Sequence, residues 1–317
     1  MIDSINFLAY DIGFINFNYL RMLGVEIEPY TIFDRIGNSG RGYSFTYKGV
    51  QFKFNSIYRC VLIKTNTHDL LNKRDITLGD KETYKEKLND ILKTVFGTTN
   101  INLKIERVDY YVDVPLEENQ KNMYLALFNN YMPNFAYTKK KTNYASSVYR
   151  ASKRGQYNIN IYSRFEKTKN CLDKGILRIE LQMKKPKIKN EAKKGVPRKL
   201  DSYWNIEAMD KYYFDFYRLF FGIGKHYRME KAREIINHSK LSDSWKKKLK
   251  KFLKDMMYEV DYKRVIKSKQ TFKSYADKLG KLGINVLCIW DCFSPEISSL
   301  PNLLDLAKAV AKEKYFK

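Results

Sequence analysis

Three segments in which polar and apolar residues alternate constrain the fold of this chain more than any other feature. They are 104–115 (KIERVDYYVDVP), 157–167 (YNINIYSRFEK) and 175–185 (GILRIELQMKK). Because successive side chains of a strand point to opposite faces, each segment predicts a β-strand with one apolar face in the core. A further alternating pair, 41–56 (RGYSFTYKGVQFKFNS), is divided by Lys48-Gly49 and predicts a hairpin.

Helical spacing governs much of the remaining sequence. Segment 80–97 (DKETYKEKLNDILKTVFG) has apolar residues every three or four positions and stops at Gly97. Another helix is expected after Pro115, and amphipathic helices recur after residue 200, including a basic one at 241–258. We therefore predict an α+β fold, in which an antiparallel β-sheet has helices packed on one face and a helical region follows at the C-terminus.

A lysine-rich segment, 184–199 (KKPKIKNEAKKGVPRK), interrupts this pattern. It contains two prolines and few apolar residues, so we interpret it as a basic linker or loop. This interpretation divides the chain into a sheet-containing domain at 1–199, which ends in the linker, and a helical region at 200–317.

Net charge is the strongest global signal. The chain has 59 Lys and Arg against 35 Asp and Glu, a formal charge of +24. A lysine-rich composition alone would have raised the acidic residues too, so a polyanionic partner such as nucleic acid is favoured. No apolar run is long enough to cross a membrane, and the N-terminus lacks the pattern of a signal peptide, so we expect a cytoplasmic protein with no membrane partner. The four cysteines are scattered and favour neither a disulfide framework nor a zinc site.

The polar faces of the three strands carry acids, arginines and a tyrosine. By alternation these faces are Arg107, Asp109, Tyr111 and Asp113; Tyr162, Arg164 and Glu166; and Arg178, Glu180 and Gln182. One explanation is cross-strand salt bridges on a solvated face. The other is a carboxylate cluster that holds Mg²⁺ or Mn²⁺, beside which Tyr162 attacks a phosphodiester. The spacing alone leaves both open.

These same residues give the chain a resemblance to the rolling-circle replication initiators. It is most similar to the replication protein of filamentous phages and less so to the initiators of staphylococcal rolling-circle plasmids. The matching parts are the opening MID, the segment VFGTTN before IERVDYYVD, the strand INIYSRFEK and the strand ILRIELQMKK, in the family's order across residues 1 to 190. The resemblance implies a DNA-nicking enzyme whose tyrosine becomes joined to a 5′ phosphate, frees a 3′ hydroxyl primer and later rejoins the displaced strand.

The resemblance also implies roles for individual residues. Tyr162 would be the nucleophile, and the other catalytic residues would be Arg164, Glu166 and Arg178. The metal ligands would be Asp109, Asp113 and Glu180, holding Mg or Mn. The chain departs from the family in placing Glu166 four residues after the tyrosine instead of five, and in lacking a His-hydrophobic-His pair.

Basic segments predict where DNA would bind. We expect Lys139, Lys140, Lys141 and Tyr144, together with Lys184, Lys185 and Lys187, to contact phosphates and stacked bases. The C-terminal helices would take part in origin recognition. The expected partners are origin DNA in double- and single-stranded form, a host helicase and polymerase, and a second copy of the chain.

Two other functions are compatible with these residues. A non-catalytic DNA-binding initiator or repressor would need the acidic strand faces only as salt bridges. A metal-dependent nuclease that activates water would not need Tyr162.

Overall fold

The structure is a computed structural model, and it describes residues 1–10, 12, 15–34, 36–130, 137–144, 146–152, 154–258, 268–293 and 295–316. Of residues 130, 137–144, 258 and 269 it describes the backbone only. The chain forms two compact units. The first unit comprises Met1–Tyr111, Leu181–Met209 and Lys312–Lys317, and the second comprises Val112–Glu180 and Asp210–Ala311. The predicted division of roles between 1–199 and 200–317 stays a prediction.

Strands dominate the first half of the chain and helices the second. The first half contains β1 (Ile2–Tyr10), α1 (Phe17–Met22), β2 (Glu28–Phe33), β3 (Ser39–Tyr47), β4 (Val50–Asn55), β5 (Cys60–Asn66), α2 (Thr67–Leu71), α3 (Lys81–Phe96), β6 (Leu103–Pro115), α4 (Glu118–Asn130), β7 (Tyr137–Tyr144) and β8 (Ser147–Ser152). The second half contains β9 (Tyr157–Ser163), α5 (Arg164–Thr168), β10 (Ile176–Met183), α6 (Lys185–Ala192), α7 (Ile206–Ala208), α8 (Asp215–Phe221), β11 (His226–Tyr227), α9 (Met229–His238), α10 (Asp243–Tyr258), α11 (Lys269–Lys281), β12 (Ser299–Leu300) and α12 (Leu303–Val310). Short 3₁₀ turns occupy Leu78–Asp80, Cys171–Asp173 and Leu200–Ser202, and π-helical turns occupy Met209–Phe214 and Ala311–Tyr315.

The first unit contains an antiparallel sheet in the order β2-β3-β4-β5-β1-β6. The predicted hairpin is confirmed as β3 and β4, and both Lys48 (φ 47°) and Gly49 (φ 79°) take the left-handed conformation that a tight two-residue turn requires. Helix α3 is also confirmed, and it ends where Gly97 adopts a φ of 71°. Its apolar side is buried, and Phe96 meets Phe52 of β4 with ring centroids 6.0 Å apart.

Segment 184–199, which we interpreted as a linker, contains helix α6. Pro186 lies in the first turn, where a missing N–H costs nothing, and Ile188 is buried. The carboxylate of Glu191 is 1% exposed and accepts hydrogen bonds from Lys187 (2.7 Å) and Lys194 (3.1 Å). The high lysine content therefore led us to interpret as a linker a segment that is partly helical, in which Glu191 neutralises part of the lysine charge.

The second unit has strands in the order β6-β10-β9-β8-β7, and the β7-β8 and β8-β9 pairs are antiparallel. Helix α4 packs against β8 and β9. Its residues Met123, Leu127 and Phe128 are buried, as the sequence predicts. Apart from the short antiparallel pair β11–β12, the other described elements of this unit are helical, so the α+β prediction with antiparallel strands and a helical C-terminal region is confirmed. None of the described helices is both long and apolar enough to cross a bilayer.

The strand predicted at 157–167 ends earlier than its alternation suggests. β9 stops at Ser163, and the chain turns into the short helix α5, which carries Arg164 and Glu166. Arg164 forms ion pairs with Asp113 of β6 and Asp173. These pairs hold Arg164 in the first turn of α5, so a tertiary interaction overrides the local two-residue pattern.

Candidate active site

Tyr162 lies at the end of β9 with only 5% of its surface exposed. Its hydroxyl donates a hydrogen bond to Oε2 of Glu180 at 3.3 Å and accepts one from Nζ of Lys167 at 3.0 Å. The same Nζ lies 4.6 Å from the centroid of the tyrosine ring. The hydroxyl oxygen is therefore placed between a carboxylate that can receive its proton and a cation that can stabilise a negative charge.

Local structure explains how these three side chains meet. β9 and β10 are neighbours in the sheet, which brings Tyr162 and Glu180 side by side. Lys167 reaches the same point because α5 folds the chain back directly after β9. The hydroxyl of Tyr217, in α8, donates to the backbone carbonyl of Glu180 at 2.7 Å and fixes β10 at this position.

Asp113, on β6, lies at the centre of a second buried cluster. Arg178 of β10 donates to both of its carboxylate oxygens, from Nε at 2.7 Å and from Nη2 at 2.8 Å, and Arg164 adds a third contact. Burial raises the pKa of the Asp113 carboxyl, but the two arginines outweigh it, so the net pKa lies below the usual value. Asp113 is consequently ionised and neutralised within the protein.

The two clusters are connected through β10 and α5. Arg178 and Glu180 are two residues apart on β10, so their side chains share one face of the strand. Arg164 also contacts Asp173 at 3.2 Å, and Thr168 donates to that carboxylate at 2.6 Å. Both ends of α5 are thereby anchored, which determines where Lys167 projects.

Asp109 belongs to the first unit, where β6 pairs with β1. Its carboxylate accepts hydrogen bonds from Nε of Arg107 (2.7 Å) and from the hydroxyl of Ser4 (2.7 Å). Burial raises the pKa of Asp109, and the opposing effects of Arg107 and Ser4 do not fully reverse it, while nearby Asp3 adds to the increase. Asp109 therefore holds its negative charge less firmly than a solvated carboxylate.

Glu166 does not share a strand face with Tyr162, contrary to what alternation predicted. Since it lies on α5 and not on a strand, it is exposed and bonds to Lys169 at 2.7 Å. This hydrogen bond lowers the pKa of Glu166. The contacts of Glu166 are those of a surface ion pair.

The predicted ligand set does not fit a divalent cation. Asp113 is occupied by two arginines, and Asp109 is bound by Arg107. Glu180 contacts the tyrosine hydroxyl. Across the described residues, no three His, Cys, Asp or Glu side chains group in a way that could hold a metal ion. The Mg or Mn requirement stays a prediction.

The predicted DNA-binding residues fall into two groups. The side chains of Lys139, Lys140, Lys141 and Tyr144 lie outside the described residues, although their backbone forms β7. Within the first unit, Lys185 pairs with Glu106 at 2.7 Å and Lys187 with Glu191 at 2.7 Å. Burial lowers the pKa of Lys184, and the nearby charge of Arg107 contributes. Two of these three lysines thus already have a carboxylate partner.

Sequence reasoning missed Lys167. Alternation placed residue 167 on the apolar face with Ile161 and Phe165, because it assumed that the strand continued. Alternation also gave no indication that Arg164 pairs with Asp113, which lies 51 residues earlier in the sequence. Only the turn at Ser163 reveals both contacts.

Of the comparisons with known proteins, the one with solved structures gives a match. No protein-family model matches the sequence, and no curated protein matches it. Among solved structures, the chain is similar to a rolling circle replication initiator protein from Geobacillus stearothermophilus, with a TM-score of 0.33 and 10% identical residues. That similarity covers 62% of this chain and 80% of the other.

Proposed function

We propose that this chain is a rolling-circle DNA replication initiator, an origin-specific enzyme that nicks and rejoins one DNA strand through Tyr162. The observation that carries the proposal is the placement of the Tyr162 hydroxyl between Lys167 and Glu180. A tyrosine needs a base or a cation to become nucleophilic near neutral pH, and this one has both within hydrogen-bond reach. The motif order that resembles the initiators and the charge of +24 support DNA as the substrate.

In the proposed nicking step, the Tyr162 oxygen attacks the phosphorus of a phosphodiester. Its proton passes to the Glu180 carboxylate, and the Lys167 ammonium stabilises the charge on the phenolic oxygen. The Oη–P bond forms as the P–O3′ bond breaks. The released 3′ oxygen takes a proton from water and becomes the primer, while the 5′ phosphate stays on Tyr162.

Rejoining is the reverse reaction. A 3′ hydroxyl gives its proton to water and attacks the phosphotyrosine, the O3′–P bond forms as the Oη–P bond breaks, and the leaving Tyr162 oxygen recovers a proton from Glu180. The number of phosphodiester bonds is conserved over both steps, so no nucleotide cofactor is required. Arg164, Arg178 and Asp113 act in this scheme as positioning residues that hold α5, and with it Lys167, in place.

Covalent capture tests the proposal without knowledge of the origin sequence. The full chain is incubated with a random-sequence pool of single-stranded oligonucleotides, about 30 nucleotides long to span the site of a single-strand-binding protein, labelled at the 3′ end. We expect the label to become attached to protein, and mass spectrometry of the digested adduct to place it on Tyr162. A second oligonucleotide with a free 3′ hydroxyl then yields a joined product.

Two matched variants sharpen the result. Tyr162→Phe should abolish the adduct and retain DNA binding, whereas Tyr157→Phe, on the same strand, should behave as the wild type. An adduct that persists in Tyr162→Phe would show that another residue is the nucleophile. Cleavage without any adduct would instead indicate a nuclease that activates water. Parallel reactions with Mg²⁺, Mn²⁺ or a chelator determine whether the predicted metal is needed.

A further inference from the structure

Helix α10 has an unusual distribution of charge. It contains six lysines and two aspartates in Asp243–Tyr258. Leu249, Phe252, Leu253 and Met256 form its buried side. Lys247, Lys251 and Lys254 follow one another at spacings of four and three residues, so they line up on one face, and all three are exposed. We call these three residues the α10 lysine face.

The apolar side of α10 packs within the second unit. It contacts α9 and α11. The Phe252 ring meets the rings of Phe272 (5.8 Å) and Tyr275 (5.2 Å). Because this side is covered, α10 is unsuited to lie in a lipid surface, which would require exposed apolar residues opposite the lysines.

Several lysines of other helices are neutralised by a carboxylate of the same helix. Lys85 lies 2.9 Å from Glu82, Lys231 lies 2.9 Å from Glu234, and Lys187 lies 2.7 Å from Glu191. On the α10 lysine face, by contrast, no carboxylate in the described part of the chain comes within 4.0 Å of a lysine nitrogen. Like charges at this helical spacing repel each other, so this face is destabilising unless a polyanion covers it.

Two further cations lie against Trp245 at the start of α10. The Nζ atoms of Lys278 and Lys248 lie 4.2 Å and 5.4 Å from the centroid of the Trp245 ring. Trp245 also contacts Tyr275 edge to face at 5.7 Å. The tryptophan is therefore engaged by neighbouring side chains and is not an open platform for an unpaired base.

We propose that the α10 lysine face binds the phosphate backbone of double-stranded DNA. The three lysines lie along about 10 Å of a rigid helix, which suits the fixed phosphate row of a duplex. Single-strand binding sites add aromatic rings for base stacking, whereas the Trp245 ring of this helix is already engaged. Contacts of this kind position a protein on DNA without reading its sequence. The choice of DNA among polyanions rests on the proposed function.

A charge-reversal pair tests this proposal. Lys247→Glu/Lys251→Glu/Lys254→Glu is compared with Lys53→Glu/Lys93→Glu/Lys312→Glu, which changes the net charge equally at exposed lysines of the first unit. Binding of a duplex of about 25 base pairs is followed by fluorescence anisotropy between roughly 50 and 200 mM salt. We expect the α10 variant to bind at least about tenfold more weakly, and its logarithmic salt slope to be smaller by about 2.7, or 0.9 for each lost phosphate contact.

Two results would overturn the proposal: equal losses in both triple variants, or an unchanged salt slope in the α10 variant. A Lys→Gln triple replaces the Lys→Glu one if circular dichroism shows that the latter is unfolded. Adduct formation on the short single-stranded pool separates this proposal from the nicking activity. If the wild type forms no adduct but the α10 variant still loses duplex binding, the proposed function fails and the binding face stands. If the adduct forms in both and duplex binding is equal, the face fails and the nicking activity stands.

Discussion

The replacement Asp113→Asn tests whether this carboxylate is an ion-pair residue or a metal ligand. Asp113 is 4% exposed and its two arginine partners are largely buried, Arg178 at 7% and Arg164 at 12% of their side-chain surface. Asparagine keeps the shape but removes the charge that neutralises both guanidinium groups. Removing one partner of a buried ion pair costs about 3–5 kcal/mol, so we expect the free energy of unfolding to fall by that amount.

The assay is urea and thermal unfolding followed by circular dichroism. For a cooperative domain of roughly 200 residues, each kcal/mol lowers the Tm by about 2–4 °C, so the Tm should fall by about 10 °C. Asp243→Asn is the matched control, because that carboxylate is fully exposed and 3.9 Å from its only described cationic partner, Lys246. We expect the control to change stability by less than about 0.5 kcal/mol.

The pH dependence of the free energy of unfolding tests the same assignment independently. Since the pKa of Asp113 is lowered in the folded state, its contribution is present above the unfolded pKa and is lost as the pH falls from about 3.8 towards the folded value. Asp113→Asn should lack this part of the acid transition. A metal ligand behaves differently, because saturating Mg²⁺ at about 100 times its Kd would stabilise the wild type by about 2.7 kcal/mol and not the variant. That metal response, together with a Tm loss below about 2 °C without metal, would refute the ion-pair assignment.

Three further predictions concern other parts of the second unit. Lys167→Met should reduce the rate of adduct formation about 100-fold and raise the pH at which that rate is half-maximal. Lys167→Arg should retain most activity. An unchanged pH profile for Lys167→Met would contradict a role of Lys167 in activating Tyr162. Burial lowers the pKa of His226 to about 4. Because the unfolded state takes up a proton between pH 7 and pH 4, the free energy of unfolding of the wild type should fall by about 3 kcal/mol over that range. In urea unfolding at several pH values, His226→Phe should lack this loss. Gly224→Ala should lower the free energy of unfolding by more than Gly283→Ala in the same assay. Both glycines have positive φ, but only at Gly224 would a Cβ lie 2.6 Å from backbone atoms. Equal effects would show that the backbone shifts to accommodate the Cβ.

Much of the fold could be predicted from local signals. Alternation of polar and apolar residues identified β6, β9 and β10, and the Lys48-Gly49 dipeptide identified the hairpin. Both sequence signals depend only on residues that are neighbours along the chain. Helix α3 followed from its spacing and its terminal glycine. Helix α6 was missed because a lysine-rich composition with two prolines suggests a loop. The helix is stabilised by the burial of Ile188 and by lysine–glutamate pairs, which composition does not reveal.

The candidate site was only partly predictable for a related reason. Tyr162 was identified from its strand face and the family resemblance, and Glu180 from the parity of β10. The partner of Arg164 could not be found in this way, because Asp113 is distant in sequence and the pair forms only once the chain turns at Ser163. Alternation shows to which face of a strand a side chain points but not how deeply it is buried. It therefore left open whether the acidic faces are solvated, and Asp113 and Glu180 are in fact each 4% exposed.

If Tyr162 is the nucleophile, as proposed, its burial has a consequence for the fate of a cut strand. At 5% exposure, with Lys167 across its hydroxyl, a phosphate ester formed there would be screened from bulk water. Hydrolysis would then be slow, and an incoming 3′ hydroxyl held by the protein would have the advantage. Such burial would conserve the phosphodiester energy of the cut strand until a 3′ hydroxyl arrives, which favours strand exchange over permanent breakage.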